Sequence, residues 1–189
     1  MCLMDDLQLT GWAYWRLEHQ YPGVWTCIKH SQPLLVAKLK EKEGQRLPWS
    51  LPRSNELHET HAFTSSDTLD RLNRLSRLIG DLVRIGTREP FFFFFLYLVY
   101  QNAMKSRGWM TDSGRFRMKA AASAFLEHIS WVIQVDEFNG LPQTSGEAND
   151  MLVRMLRPSR THVHPLQHIL MVDWLFTGPS KFKNQLMNL

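Results

Sequence analysis

The chain has 189 residues, 44% of them hydrophobic, enough for one domain of ordinary size or for a small metal-stapled piece followed by a helical domain with a real core. Lys and Arg number 22 against 18 Asp and Glu, a net charge of +4, which permits nucleic-acid contact without requiring it. The longest apolar run, Phe91 to Tyr100, falls far short of the roughly 18–20 residues a membrane helix needs, so no membrane partner is expected.

Residues 1–40 read as a partial zinc-ribbon segment of short strands and turns, rich in aromatics, with Pro22-Gly23 as a turn signal. Trp12, Tyr14, Trp15, Tyr21 and Trp25 surround a Cys27-x-x-His30 pair, and Cys2 is the other cysteine of the chain. A CxxH pair behind a distant cysteine fits half of a zinc ribbon, in which thiolates and imidazole hold a tetrahedral ion that replaces a core too small to fold alone. A surface histidine beside a buried free thiol fits the same spacing. Two cysteines without a secretory signal or lipidation motif indicate a reducing compartment, most simply a bacterial cytoplasm.

Residues 41–65 mix charges, Gly44, Pro48 and Pro52 with no apolar period and read as a linker or loop. His58 and His61 lie in it as solvated loop histidines. Residues 66–189 form the expected helical domain. Leu69, Leu72, Leu75, Ile79, Leu82 and Val83 recur at helical steps behind Ser66, Asp67 and Asp70, with Gly86 as the stop. Arg74, Arg77 and Arg84 share the opposite side, as a solvated face or as one that meets phosphate. Pro90 opens a second helix through the phenylalanines to about Arg107, where Gly108 ends it.

A loop and helix follow from Thr111 to Trp131, placing Arg115 and Lys119 four residues apart on one helix face. Arginine in a first helical turn opposes the dipole, so either a DNA phosphate or an ordinary salt bridge is expected there. Thr144 and Glu147 spell a capping box for a helix that Pro158 ends. Arg154 and Arg157 lie on its exposed side, and Arg160 follows in the loop. His164-Pro165 opens the last expected helix, apolar nearly all round, and Gly178-Pro179 closes it. His162, His164 and His168 have a spacing that metal ligands can adopt, although His164 equally suits a helix cap.

Positive charge is concentrated in this half: Lys105, Arg107, Arg115, Arg117 and Lys119 face Asp112 alone between residues 105 and 119. From residue 151 onward, Arg154, Arg157, Arg160, Lys181 and Lys183 face Asp173. No phosphate-binding glycine loop with its lysine, nucleophile elbow, H-E-x-x-H or transposase-like carboxylate set occurs, and a catalyst is not expected.

The wording from Gly11 to Leu35, G-x-x-YW-R-x-x-HQ-x-PGV-x-x-C-x-x-H-x-x-PL, resembles the zinc-binding segment of the TnsD/TniQ family of transposition target-site selectors. Gly108, Gly114-Arg115-Phe116-Arg117 and Phe125 resemble a later part of the TnsD pattern, and R-x-x-R-P-x-R-x-x-x-HPL-x-H-x-L resembles its C-terminal helix. The resemblance implies a mainly α protein, a small zinc-ribbon-like segment before a domain with helix-turn-helix-like units. It implies Zn2+ on Cys2, Cys27 and His30 and double-stranded DNA against Arg115, Arg117, Lys119, Arg154, Arg157 and Arg160. It also implies recruitment of the transposition ATPase regulator, which brings the transposase complex.

The family introduces its zinc segment with C-x-x-C, whose second cysteine is matched by Cys2; the first would lie three residues earlier, ahead of Met1. This chain is therefore expected to be a truncated or split copy with weakened or lost zinc affinity. Asp5 and His19 are the nearby substitutes for a fourth ligand, although the family's HQ histidine is usually not one. Two other readings stand beside target selection: a protein-interaction module docking the ATPase or an RNA-guided complex, and an inactive remnant.

Overall fold

The computed structural model describes residues 1–37, 51–59, 65–88, 95–133, 140–158 and 163–187. Those residues are mainly helical and fall into two compact units, Met1–Gly80 and Asp81–Leu189. His61, Pro90, Phe91 to Phe94, Arg160 and His162 lie outside the described residues, as does most of the 41–65 segment.

The first unit opens with a helix where strands or turns were expected: α1 runs over Cys2–Thr10 and ends on Gly11 in the left-handed region, φ 76°. A 3-10 turn over Leu17–His19 follows. The CxxH pair sits on a tight hairpin: Thr26 and Pro33 bridge antiparallel, Cys27 N–H donates to the Gln32 carbonyl at 2.8 Å, and Ser31 N–H donates to the Cys27 carbonyl at 2.7 Å. Ser31 accepts a positive φ of 53° to close it. Strand β1, Leu35–Ala37, pairs antiparallel with β2, Leu57–Glu59, in the register Leu35 to Glu59. β2 lies in the stretch read as linker; partners some 20 residues apart and only three residues long leave no periodic signal in sequence.

Helix α2, Ser66–Arg88, completes this unit with its N-terminal part. It does not stop at Gly86, because glycine costs a helix only about 1 kcal/mol and takes no left-handed turn here. Leu72, Leu75, Leu78 and Ile79 are buried. Another face holds the hairpin. Thr26 Oγ1 donates to Ser76 Oγ at 3.0 Å with both residues fully buried, and Arg77 donates to Ser31 Oγ at 3.0 Å. Gly80 leaves room for Ile28, whose Cδ1 would stand 2.8 Å from a Cβ at that position.

In the second unit, α3 (Leu96–Ser106) packs on α6 (Pro165–Leu175) and α7 (Pro179–Met187), and α4 (Met118–Ile133) packs on α5 (Ser145–Met155) and α6. Val99, Met104, Phe125, Ile129, Leu152, Leu170 and Met171 are sealed in its core. Trp174 meets Phe125 edge-on at 5.2 Å, and His128 on α4 pairs with Asp173 on α6 at 2.8 Å. Gly108, at φ 76°, ends α3 as expected: its N–H donates to Lys105 and the Trp109 N–H reaches back to Met104. Gly178-Pro179 closes α6 but also opens α7, with Pro179 at the first helical position, so α6 is not the last helix.

Candidate metal centre and nucleic-acid interface

Cys2 begins α1, His19 ends the 3-10 turn, and Cys27 and His30 occupy the hairpin; the fold brings all four side chains together. The two sulfurs are 3.4 Å apart, and His30 Nδ1 lies 3.0 Å from Cys2 Sγ and 3.4 Å from Cys27 Sγ. His19 Nε2 stands 4.0 Å from Cys2 Sγ, and donors of Cys2, His19 and Cys27 lie within 4.8 Å of one another, close enough to hold one metal ion. Both cysteines are free thiols and Cys27 is buried. Burial, reinforced by the neighbouring Cys27 sulfur, pushes the Cys2 thiol up to about 11, and burial lowers the pKa of His19. Imidazole nitrogen beside two adjacent sulfurs suits a soft divalent cation.

Asp5 is no donor to the sulfur side. Its Oδ2 lies 3.2 Å from His30 Nε2, the ring nitrogen turned away from the thiols, and it also pairs with Lys29. These contacts, Lys29 first, hold the Asp5 carboxyl below the usual range. Asp6, one residue on, is buried against Arg16, which also reaches Glu18 at 3.3 Å and lies over the Tyr14 ring at 5.5 Å. A cleft of about 590 Å³ opens beside the cluster, lined by Tyr14, Trp15, Leu35 and Leu57 among others. The sequence marked Cys2, Cys27 and His30 by motif; His19 has no ligand spacing of its own and is placed by the turn that follows Arg16.

The basic residues of the second unit are laid out differently from the expected helix face. Gly114 in the left-handed region and the Thr111 hydroxyl, which hydrogen-bonds Arg115 on both N–H and carbonyl, close a small hairpin bridged by Met110 and Phe116. Helix α4 therefore starts at Met118, and Arg115 and Lys119 do not share a helical face. Arg115 and Arg117 flank half-buried Phe116 in extended backbone and are exposed. Arg117 takes the capping position, its carbonyl accepting from Ala121 at 3.0 Å, and exposed Lys119 lies in a first turn that holds no acid. Arg154 is in the last turn of α5, where the dipole favours it, and Arg157 follows; both are exposed. These five side chains make no ion pair among the described residues.

Of the histidines with metal-like spacing, His164 and His168 serve the fold, and His162 lies outside the described residues. His164 caps α6, its Nδ1 accepting from the Leu166 N–H at 3.3 Å, and His168 is packed against Tyr100. Among the described residues no helix is long and apolar enough to cross a membrane.

The sequence profile of a family described as Tn7-like transposition protein D matches residues 75–188. No curated protein matches the chain.

Proposed function

Because the chain belongs to the TnsD family, Tn7-like transposition protein D, whose role lies in transposition target selection, we propose that it binds double-stranded DNA at the insertion site and recruits the transposition ATPase regulator, which brings the transposase complex. The observation that carries this reading is the family match over residues 75–188, a span that includes Arg115, Arg117, Lys119, Arg154, Arg157 and Arg160. Arg115, Arg117, Lys119, Arg154 and Arg157 are exposed, which suits backbone contact, and Arg160 continues the series in sequence. Phosphate contact supplies affinity, while a few side chains from helix-turn-helix-like units reach base edges. A Zn2+ ion on Cys2, Cys27 and His30 stabilises the N-terminal unit when bound, as a structural rather than a reactive ion.

The test is a DNA titration at several salt concentrations. Replacing Arg154 and Arg157 by Ala is expected to weaken binding and to flatten the log–log salt dependence by about 1.8, two phosphate contacts at about 0.9 each. Unchanged affinity and slope would remove these residues from the interface. That outcome favours a second reading, a module that docks the ATPase regulator or an RNA-guided complex. Its supporting observation is the exposure of Leu9 (78%), Trp12 (69%) and Leu17 (70%) on the N-terminal unit, apolar surface of the kind that interfaces cover.

A further inference from the structure

We infer that His19 is the fourth ligand of a closed Cys2, His19, Cys27, His30 zinc site, with Asp5 as the carboxylate that orients His30. The inference rests on the zinc reading above and adds to it the coordination set. Tetrahedral zinc, about 2.3 Å from sulfur and about 2.0–2.1 Å from nitrogen, sets its ligand atoms about 3.3–3.8 Å apart. The separations here, 3.0 and 3.4 Å from His30 to the sulfurs, 3.4 Å between sulfurs and 4.0 Å from His19 to Cys2, bracket that range. The donors of Cys2, His19 and Cys27 lie within 4.8 Å of one another, and His30 Nδ1 reaches the same two sulfurs, so both histidines share the sulfur pair and an ion completes four-coordination by drawing His19 toward His30.

His19 is held in place by bonds that lie outside the cluster. Its N–H donates to the Arg16 carbonyl at 3.0 Å, the Gln20 N–H closes the turn on Leu17 at 2.9 Å, and the Arg16 guanidinium is tied to buried Asp6 of α1. The helix that carries Cys2 thus anchors the turn that carries His19. On the other side, the Asp5 contact to His30 Nε2 leaves Nδ1 as the nitrogen facing the sulfurs, the arrangement of a carboxylate–histidine–zinc triad. Four protein ligands leave no open position, which marks the site as structural.

Cobalt(II) titration of the full chain reads the coordination directly. The parent protein is expected to take up one equivalent with the strong visible bands of a tetrahedral ion and the charge-transfer bands of two thiolates. His19→Ala should lose most of the tetrahedral intensity and weaken zinc binding at least tenfold, and Asp5→Asn should weaken it by about 10–100-fold with the tetrahedral spectrum kept. His19→Cys should restore the tetrahedral bands and add a third thiolate's charge-transfer intensity, a gain that a merely structural residue 19 could not produce. An unchanged spectrum and affinity in His19→Ala, or a His19→Cys protein with no added thiolate band, would overturn the assignment and leave the zinc reading standing. A parent chain that binds no cobalt or zinc would overturn both.

Discussion

The Tyr100 hydroxyl, buried on α3, lies 3.0 Å from His168 Nδ1 on α6, with the two rings stacked at 6.0 Å. Burial lowers the His168 pKa below its ordinary 6.5 and holds the Tyr100 phenol well above its usual range, so a neutral imidazole accepts from a neutral phenol. Linkage fixes the sign of the pH effect. The unfolded chain takes up a proton at His168 as pH falls through 6.5 while the folded chain resists, so this contribution is full above 6.5 and is lost on acidification below it. A His168→Gln variant is therefore expected to lose less thermal stability than the parent on acidification through that range. Equal losses would place the acid sensitivity elsewhere. In sequence His168 belonged to a spacing shared by metal ligands and helix residues; only the position of Tyr100, 68 residues away, decides which.

The hairpin and α2 are joined at element scale by the Thr26–Ser76 hydrogen bond, enclosed with both residues at 0% exposure. Removing one hydroxyl strands the other, so Ser76→Ala is expected to cost about 1–3 kcal/mol in chemical denaturation. Adding Thr26→Val should recover part of that loss, because two apolar groups facing each other leave no polar atom unpaired; a strictly additive double variant would contradict the pairing. This contact was not legible, since Ser76 interrupts the apolar period of α2 without saying what it meets. Features whose chemistry is local were legible. Thr144 and Glu147 exchange both bonds of the capping box, His164 caps α6, and Gly108 ends α3. Each puts its partner within a few residues, and stereochemistry alone selects the residue type. The start of α4 failed by the same logic: Thr111, Asp112 and Ser113 are all good caps, yet Thr111 spends its hydroxyl on Arg115 to close a hairpin instead. Likewise, Gly178-Pro179 signals an end and a beginning equally well, which hid α7.

At the scale of the whole molecule, the two units have different sources of stability. Among the described residues the second packs α3 to α7 around a sealed apolar core, whereas the first combines short pieces of chain with a Cys/His cluster and the N-terminal part of α2. Chelation of a zinc-loaded sample is expected to lower the unfolding temperature of the first unit and to leave the helical signal of α3–α7 in place. Loss of all helix in one step would show that both units depend on the ion. The division of labour was partly written in the chain, with cysteines at one end and the excess of arginine and lysine toward the other. What composition could not convey is that residues 57–59 return to pair with β1, because that pairing is made by backbone atoms common to every sequence.

Four of the indoles are divided in the same way: Trp12 and Trp15 of the first unit are 69% and 40% exposed, while Trp131 and Trp174 of the second are each 6% exposed. Water relaxes around the first pair and is kept from the second. Trp12 and Trp15 therefore contribute a red component to the intrinsic emission from the first unit, and Trp131 and Trp174 a blue one from the second.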